Sequence, residues 1–195
     1  PYCPRCGTPL SDHEVALGYD EAEDPSVFVR FPLLAQADTF LLVWTTTPWT
    51  LPANVAVAAH PDVDYVKVEH TLHEGQAEHL VLAEALVGEV FGDRPLRVVE
   101  RFKGSELAGA QYQPLFSFLP LEKPAHRVVL ADFVTTGDGT GLVHIAPAFG
   151  ADDMLVSQKE NLPILQTVLG DGTFRPEVQP WAGVFVKEAD PSITK

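Results

Sequence analysis

Short runs of β-branched and aromatic residues dominate the hydrophobic pattern of the chain, and Gly, Pro or Asp separates most of them. Such runs are typical of β-strands, in which successive side chains face opposite sides of a sheet. The predicted strands cover residues 27–33, 39–47, 55–60, 64–70, 78–83, 96–102, 126–134, 141–147 and 183–189. Many short strands at this spacing predict a barrel or a sandwich.

Two segments follow the period of a helix instead. The apolar residues on one face of the first are Ala83, Leu86, Val87, Val90 and Phe91. Gly92 can end this helix, because glycine readily adopts the conformation that closes a helix. Asp152 and Asp153 open the second predicted helix, and Pro163 limits it. The predicted fold class is therefore β-rich α+β, a β-barrel with a few peripheral helices.

The 195 residues suit one domain with a small appendage. An acidic connector at 17–25 separates a cysteine-containing segment from the first predicted strand, so we place a boundary near residue 20. Residues 1–20 are the predicted cysteine knuckle and connector, and residues 21–195 are the main domain. Near the other end, we expect a helix to begin with Asp190 as its N-cap and Pro191 at its first position.

Acidic residues outnumber basic ones by 27 to 13, which gives a formal net charge of -14. This balance argues against a broad contact with nucleic acid, because phosphates are neutralised by clustered cations. No apolar run reaches the ~18 residues that span a bilayer, and the first residues lack the features of a signal peptide. We therefore expect a soluble, cytoplasmic protein whose contact with any nucleic acid is small.

The two cysteines, Cys3 and Cys6, have the spacing of half a zinc knuckle. A structural zinc ion needs four ligands, and this sequence does not supply the other two. A thioredoxin-like redox pair is an alternative, although no strand-helix-strand pattern surrounds the cysteines. A third interpretation is that the chain is a piece of a larger protein that supplies the second pair of ligands.

Polar residues at strand ends are the candidates for chemistry, because the common phosphate-loop, serine-hydrolase and zinc-protease motifs are absent from the sequence. Thr45, Thr46 and Thr47 end one predicted strand, and Asn54 follows a proline-rich turn. Alternation sends Thr46 to one face and Thr45 and Thr47 to the other, unless Pro48 breaks the strand early. Threonine is an ordinary strand residue, but an abrupt change from apolar side chains to hydroxyls is also typical of a pocket rim.

His144 and Asp153 are two further candidates. His144 lies among apolar residues of a predicted strand, where a histidine is more often a hydrogen-bonded core residue than a functional one. Asp153 can stabilise the start of its helix through the helix dipole. Several glycines within 137–153 allow backbone amides to approach a ligand closely.

Two motifs, WTTTPWTLPAN at 44–54 and GTGLVHIAPAFGADD at 139–153, resemble the editing domain of isoleucyl-tRNA synthetase, the insertion known as connective polypeptide 1. CPRCGTPLS and DPSVFVRFPL fit the same family, so the resemblance spans essentially the whole chain. The continuation Pro-Trp-Thr-Leu-Pro favours the isoleucine enzyme over its valine and leucine relatives, which are similar but carry Thr-Thr-Arg-Pro.

The resemblance implies a hydrolase that removes valine mischarged onto isoleucine tRNA. A pocket discriminates poorly by one methylene, so a second, smaller site hydrolyses the wrong product; the isoleucine enzyme is itself the standard example of this scheme. No side-chain nucleophile is required, because an aminoacyl ester is already reactive and a positioned water can suffice.

The resemblance also implies roles for individual residues. Asp153 binds the α-ammonium group of the substrate, and His144 obstructs the extra methyl group of isoleucine. The residues implied around the terminal ribose and the attacking water are Thr46, Thr47 and Asn54. Those implied in the surrounding substrate-binding wall are Thr45, Trp49, Thr50 and Phe149, the last of which stands where many relatives have histidine.

The partners implied by the resemblance are the 3′ end of isoleucine tRNA carrying valine and the remainder of the parent synthetase, in a monomer without membrane contact. No cofactor or metal is expected in this fragment, whereas the parent enzyme would use ATP, Mg and structural Zn. Misactivated valyl-adenylate is a further candidate substrate. The alternative functions are a non-hydrolytic module that binds aminoacyl-adenosine and a degenerate insertion that only stabilises its parent.

Overall fold

The computed structural model describes residues 2–3, 5–18, 24, 26–71 and 77–195 of the chain. The N-terminal part contains two short paired strands, β1 (Tyr2–Cys3) and β2 (Thr8–Pro9), followed by helix α1 (Asp12–Leu17). The boundary predicted near residue 20 and most of the acidic connector lie outside the described residues.

A five-stranded mixed sheet forms one layer of the main body. In spatial order its strands are β3 (Val27–Pro32), β4 (Thr39–Thr45), β7 (Ala77–Ala83), β6 (Asp64–Thr71) and β8 (Arg97–Lys103). β4 and β7 run parallel, and the other neighbours are antiparallel.

A three-stranded sheet forms the adjacent layer. Its strands lie in the order β10 (Leu142–Ile145), β5 (Ala56–Ala59) and β9 (Arg127–Leu130). All residues of β5 are small or β-branched apolar residues with no exposed surface, as expected for a central strand covered on both faces. β10 pairs antiparallel with β5 and places His144 opposite Val57.

The main core lies between the two sheets, where Val43 and Val81 of the first meet Val57 and Leu142 of the second. On the outer face of the larger sheet, a 3₁₀ turn (Glu84–Leu86) leads into α2 (Val87–Phe91), which packs on that face. Helix α3 (Ala151–Glu160) covers the outer face of the smaller sheet. Further 3₁₀ helices span Pro48–Ala53 and Gly104–Leu107.

The last predicted strand, 183–189, is wrong. Helix α4 occupies Val186–Ile193 instead, so the helix expected to have Pro191 at its first position starts five residues earlier and contains that proline. The physical reason is that Val186, Ala189 and Ile193 recur at helical spacing and enter the main core together. The other predicted strands are confirmed with shifted ends: most are shorter than predicted, whereas those predicted at 64–70 and 78–83 are each one residue longer. The helices predicted near Gly92 and Asp153 are confirmed as well.

The predicted α+β class is confirmed, but the predicted barrel is not. Within the described ranges the two main sheets remain separate, and no ladder of hydrogen bonds closes them into a cylinder. β4 and β10 lie side by side where a barrel would need them to pair. None of the helices described is long and apolar enough to cross a membrane.

Candidate active site

A turn rich in threonine forms where β4 ends, and we call residues 45–50 the threonine turn. The Thr45 hydroxyl accepts a hydrogen bond from the Thr47 N–H at 3.1 Å, and the Thr50 hydroxyl donates to the Thr47 carbonyl at 2.8 Å. The hydroxyls of Thr45 and Thr47 lie 3.4 Å apart, while Thr46 is exposed. The strand stops at Thr45, and Pro48 begins a 3₁₀ helix because its missing N–H is not needed there. The side chains of the turn therefore stabilise its own backbone.

His144 approaches the threonine turn from β10. Its Nε2 lies 2.9 Å from Oγ1 of Thr50. Because the Thr50 hydroxyl donates its proton to the Thr47 carbonyl, Oγ1 accepts from His144 and Nε2 carries the ring proton. The side chain is 8% exposed, and burial lowers the pKa of His144 to about 4. The ring is therefore neutral near pH 7, and Nδ1 is buried without a partner among the described residues.

A pocket of about 260 Å³ opens between the threonine turn and the loop at 135–141. Its lining residues are Trp44, Thr45, Thr46, Thr47, Phe133, Thr135, Asp138, Gly139, Thr140, Gly141, Leu142, Val143 and His144. Gly139 and Gly141 have φ of 74° and 71°. A Cβ added at Gly139 would lie 3.0 Å from the Trp44 ring, and one added at Gly141 would lie 2.5 Å from the Cβ of Ala83. The loop therefore packs against the ends of β4 and β7 only because these positions are glycine.

Asp153 lies in the first turn of α3, next to the end of β10. Its Oδ2 accepts a hydrogen bond from the Ala146 N–H at 2.8 Å, which joins the helix start to a residue two positions after His144. Burial raises the pKa of Asp153; the Ala146 hydrogen bond opposes this, and the negative charge of Asp152 adds to it. Asp153 does not line the pocket itself.

Asn54 is held away from the pocket by its own hydrogen bonds. Its Oδ1 accepts from the Tyr112 hydroxyl at 2.6 Å, and its Nδ2 donates to the Ala56 carbonyl at 2.9 Å. Trp49 and Phe149 pack edge to face with centroids 5.1 Å apart, beside the main core. These three predicted site residues therefore support the walls rather than line the cavity.

The structure thus brings Thr45, Thr46, Thr47 and His144 into one pocket, with Thr50 joined to it through the imidazole. Several lining residues were not predicted from the sequence, among them Trp44, Phe133, Thr135, Asp138 and Thr140. The glycines around Asp138 were the available signal, but nothing in the sequence alone showed that their loop faces β4.

The cavity of about 430 Å³ on the outer face of the five-stranded sheet is larger but is built differently. Three of its polar groups are paired with one another, since the nearly buried Glu78 carboxylate accepts from Arg30 at 2.9 Å and lies 3.0 Å from Nδ1 of His70. Its remaining walls include apolar residues such as Leu42 and Leu80. This arrangement is typical of a structural ion-pair cluster, so we place the chemistry in the smaller pocket.

The described part of the chain contains no group of three or more His, Cys, Asp or Glu side chains that could hold a metal ion. Cys3 and Cys6 are both free thiols, and hydrogen bonding to Cys6 lowers the pKa of Cys3. The zinc and redox interpretations of this pair both stay predictions.

Several known isoleucine–tRNA ligases are similar to this chain in sequence. Isoleucine–tRNA ligase from Clostridium kluyveri is 50% identical over 193 residues, which cover 99% of this chain and 18% of that ligase. The chain is homologous to one segment of isoleucine–tRNA ligase. The corresponding segment of the Thermobifida fusca ligase is 52% identical over 196 residues, with the same shares covered. The archaeal ligase of Pyrococcus furiosus is 50% identical over 202 residues, covering 98% of this chain and 19% of the ligase.

Solved structures share the fold of this chain. The crystal structure of GlLeuRS-CP1 superposes with a TM-score of 0.65 at 14% identity, covering 87% of this chain and 94% of that one. The editing domain of the Plasmodium knowlesi cytosolic leucyl-tRNA synthetase gives a TM-score of 0.60 at 14% identity, with 80% of each chain covered. No family model matches the chain. The chain spans about one fifth of the length of the ligases that it matches.

Proposed function

We propose that the chain is a hydrolytic editing domain that deacylates valine mischarged onto isoleucine tRNA, as part of an isoleucine–tRNA ligase. The observation that carries this proposal is the pocket between the threonine turn and His144, in a chain that combines homology to the ligase with the fold of an editing domain. The substrate would enter as the 3′ terminal adenosine of the tRNA with its valyl ester, while the remainder of the ligase holds the rest of the tRNA.

The lining residues support hydrolysis by water rather than by a protein nucleophile. The pocket contains no cysteine and no serine, and the ring proton of its buried histidine is engaged by Thr50. The hydroxyls of Thr46 and Thr47 can orient a water toward the ester carbonyl. The water oxygen then bonds to the carbonyl carbon, the ester C–O bond breaks, and the departing ribose oxygen takes the proton that the attacking water releases. The products are free valine and tRNA with a free terminal hydroxyl.

Two groups would bind and select the amino acid. Asp153 does not line the pocket but lies beside the end of β10, and its Oδ1 is the oxygen left for the α-ammonium group of either amino acid, because Oδ2 binds the Ala146 N–H. The imidazole of His144 stands beside the substrate side chain as an uncharged, fixed wall, since burial lowers its pKa to about 4. A rigid wall of this kind admits valine and obstructs the additional methyl group of isoleucine.

The direct test is deacylation of valyl-tRNA and isoleucyl-tRNA, both carried on isoleucine tRNA, by the purified chain. We expect release of valine and little release of isoleucine. Binding of valyl-tRNA without turnover would favour the non-hydrolytic binding module, and equal release of both amino acids would contradict the proposed selection. Incubation with valyl-adenylate in the same assay tests the further substrate.

A further inference from the structure

Asp190 is a nearly buried acid that the mechanism above does not use. It belongs to α4, which packs against the 3₁₀ helix at Pro48–Ala53 and so supports the threonine turn from behind. Its neighbour Ala189 lies in the main core, and Asp190 itself is only 2% exposed. An aspartate is rarely buried to this degree unless its charge has a partner.

The candidate partner of this carboxylate lies in the threonine turn, which α4 contacts. Neither oxygen of Asp190 has a hydrogen bond of ordinary geometry within the described residues. Burial raises the pKa of Asp190, and the positive charge of Lys187 and the backbone N–H of Trp49 both lower it, while Asp24 raises it. The Trp49 N–H belongs to the first turn of a 3₁₀ helix, where amides have no acceptor inside the helix. An unpaired carboxylate therefore faces an unpaired amide.

We propose that Asp190 is a positioning residue, which holds the threonine turn in its active geometry through the backbone N–H of Trp49. This inference rests on the proposed function. Trp49 immediately precedes Thr50, whose hydroxyl binds both the Thr47 carbonyl and His144. A displacement of Trp49 therefore moves the hydroxyls of the turn and the imidazole wall together.

The kinetic test compares Asp190→Ala, Asp190→Asn and the control Glu188→Gln, which changes an exposed acid on the same helix. In valyl-tRNA deacylation we expect Asp190→Ala to lower kcat about tenfold and to change KM less than twofold, because misplaced groups slow the reaction more than they weaken binding. Asp190→Asn keeps an acceptor and should retain at least half of kcat. The control should match the unchanged chain.

A second measurement tests the contact between the Asp190 carboxylate and the Trp49 backbone N–H without relying on catalysis. In the unchanged chain, the amide resonance of Trp49 should shift with pH as Asp190 titrates, with Lys187 and Asp24 as the other charged groups facing that carboxylate. This shift should disappear in Asp190→Asn and persist in Glu188→Gln.

Three results would overturn the inference. The first is a pH-dependent shift of the Trp49 resonance that persists in Asp190→Asn. The others are an Asp190→Ala variant that folds and keeps full kcat, or one whose only change is a higher KM. If the unchanged chain shows no turnover, the proposed function fails separately, and the resonance still decides whether Asp190 binds Trp49. If Asp190→Ala does not fold, Asp190→Asn and the resonance decide together.

Discussion

The Asp153 carboxylate lies in surroundings where burial disfavours its negative charge. Its pKa is raised chiefly by burial, and the Ala146 N–H offsets only part of this effect. A raised pKa means that the folded chain holds the proton more tightly than the unfolded chain. The contribution of Asp153 to stability is therefore present below its ordinary pKa of 3.8 and is lost as the pH rises through the raised value. In the proposed function, Asp153 near neutral pH would bind the substrate at the expense of stability.

The Asp153→Asn variant should separate these two effects. We expect deacylation of valyl-tRNA to be lost, because the amide cannot pair with the α-ammonium group, while Tm at pH 7 rises by roughly 1–2 °C after allowance for solvent screening. The gain should vanish at acidic pH. Asp152→Asn, which removes the neighbouring exposed charge, is the matched control and should keep activity. Asp153→Ala should also be inactive, whereas Thr46→Ala should only slow the reaction; equal, mild losses would contradict the assigned roles.

We expect His144 to determine which amino acid stays attached to the tRNA. Replacement by alanine removes the imidazole wall and leaves space for the extra methyl group of isoleucine. We therefore expect His144→Ala to release isoleucine from correctly charged tRNA, measured against His13→Ala, which changes an exposed histidine in α1. Intact isoleucyl-tRNA in the presence of a folded His144→Ala chain would show that the selecting wall lies elsewhere.

The same histidine should make stability sensitive to acid. Its folded pKa of about 4 lies below the ordinary 6.5, so the unfolded chain binds the proton more tightly between these values. The stability that this residue contributes is complete above pH 6.5 and is lost as the pH falls toward 4. The loss should approach about 3 kcal/mol in urea unfolding. In His144→Gln this part of the pH dependence should be absent; a curve unchanged by the substitution would assign the acid sensitivity to other groups.

At the level of elements, the loop at 135–141 depends on two glycines that the packing requires. An alanine at Gly141 would combine a positive φ with a methyl group 2.5 Å from the Cβ of Ala83. We expect Gly141→Ala to lower the free energy of unfolding by about 2–3 kcal/mol. Gly137→Ala, in the same loop but facing open space, should stay near the unchanged value in the same denaturation experiment.

Elements with a strong local signal could be predicted, whereas those decided by packing could not. Periodicity and end signals predict the helix closed by Gly92, the helix opened by Asp152 and the strand β4, although β4 ends at Thr45 rather than at the predicted Thr47. The first part of helix α4 was predicted as a strand because β-branched residues favour strands. The helical spacing of its apolar residues becomes decisive only when the helix packs against the core.

In the candidate site, too, local signals revealed some residues, whereas the contacts between them depend on packing. The threonines and His144 stood out in the sequence, but their contact joins residues 94 positions apart and depends on how β10 pairs with β5. Asn54 lies close to the threonines along the chain, yet Tyr112 and Ala56 occupy its polar atoms. Proximity along the chain could not reveal this, because Tyr112 comes from a distant segment. The resemblance to an editing domain suggested roles for residues that local patterns left open.

For the whole molecule, the net charge of -14 limits how the chain can hold tRNA. Many of its cations are already engaged in surface ion pairs, as Lys103 is with Asp64 and Arg101 is with Glu84. We expect weak binding of tRNA by the isolated chain, with a log–log salt slope of roughly -1 to -2, because only one or two phosphates are neutralised. A filter-binding series over a range of salt concentrations measures this slope, and a steep value would reveal a phosphate-binding surface that the charge distribution does not suggest.

The pocket can form only after β9 and β10 have been synthesised and have paired with β5. A chain that leaves the ribosome N-terminus first exposes the threonine turn and β5 long before either partner strand of β5 has been synthesised. Contacts between distant segments form slowly, because a long loop must close before they contribute to stability. His144 can reach Thr50 only after β10 has joined that sheet. The pocket therefore forms late in biosynthesis, and a prematurely terminated chain that lacks β10 cannot form it.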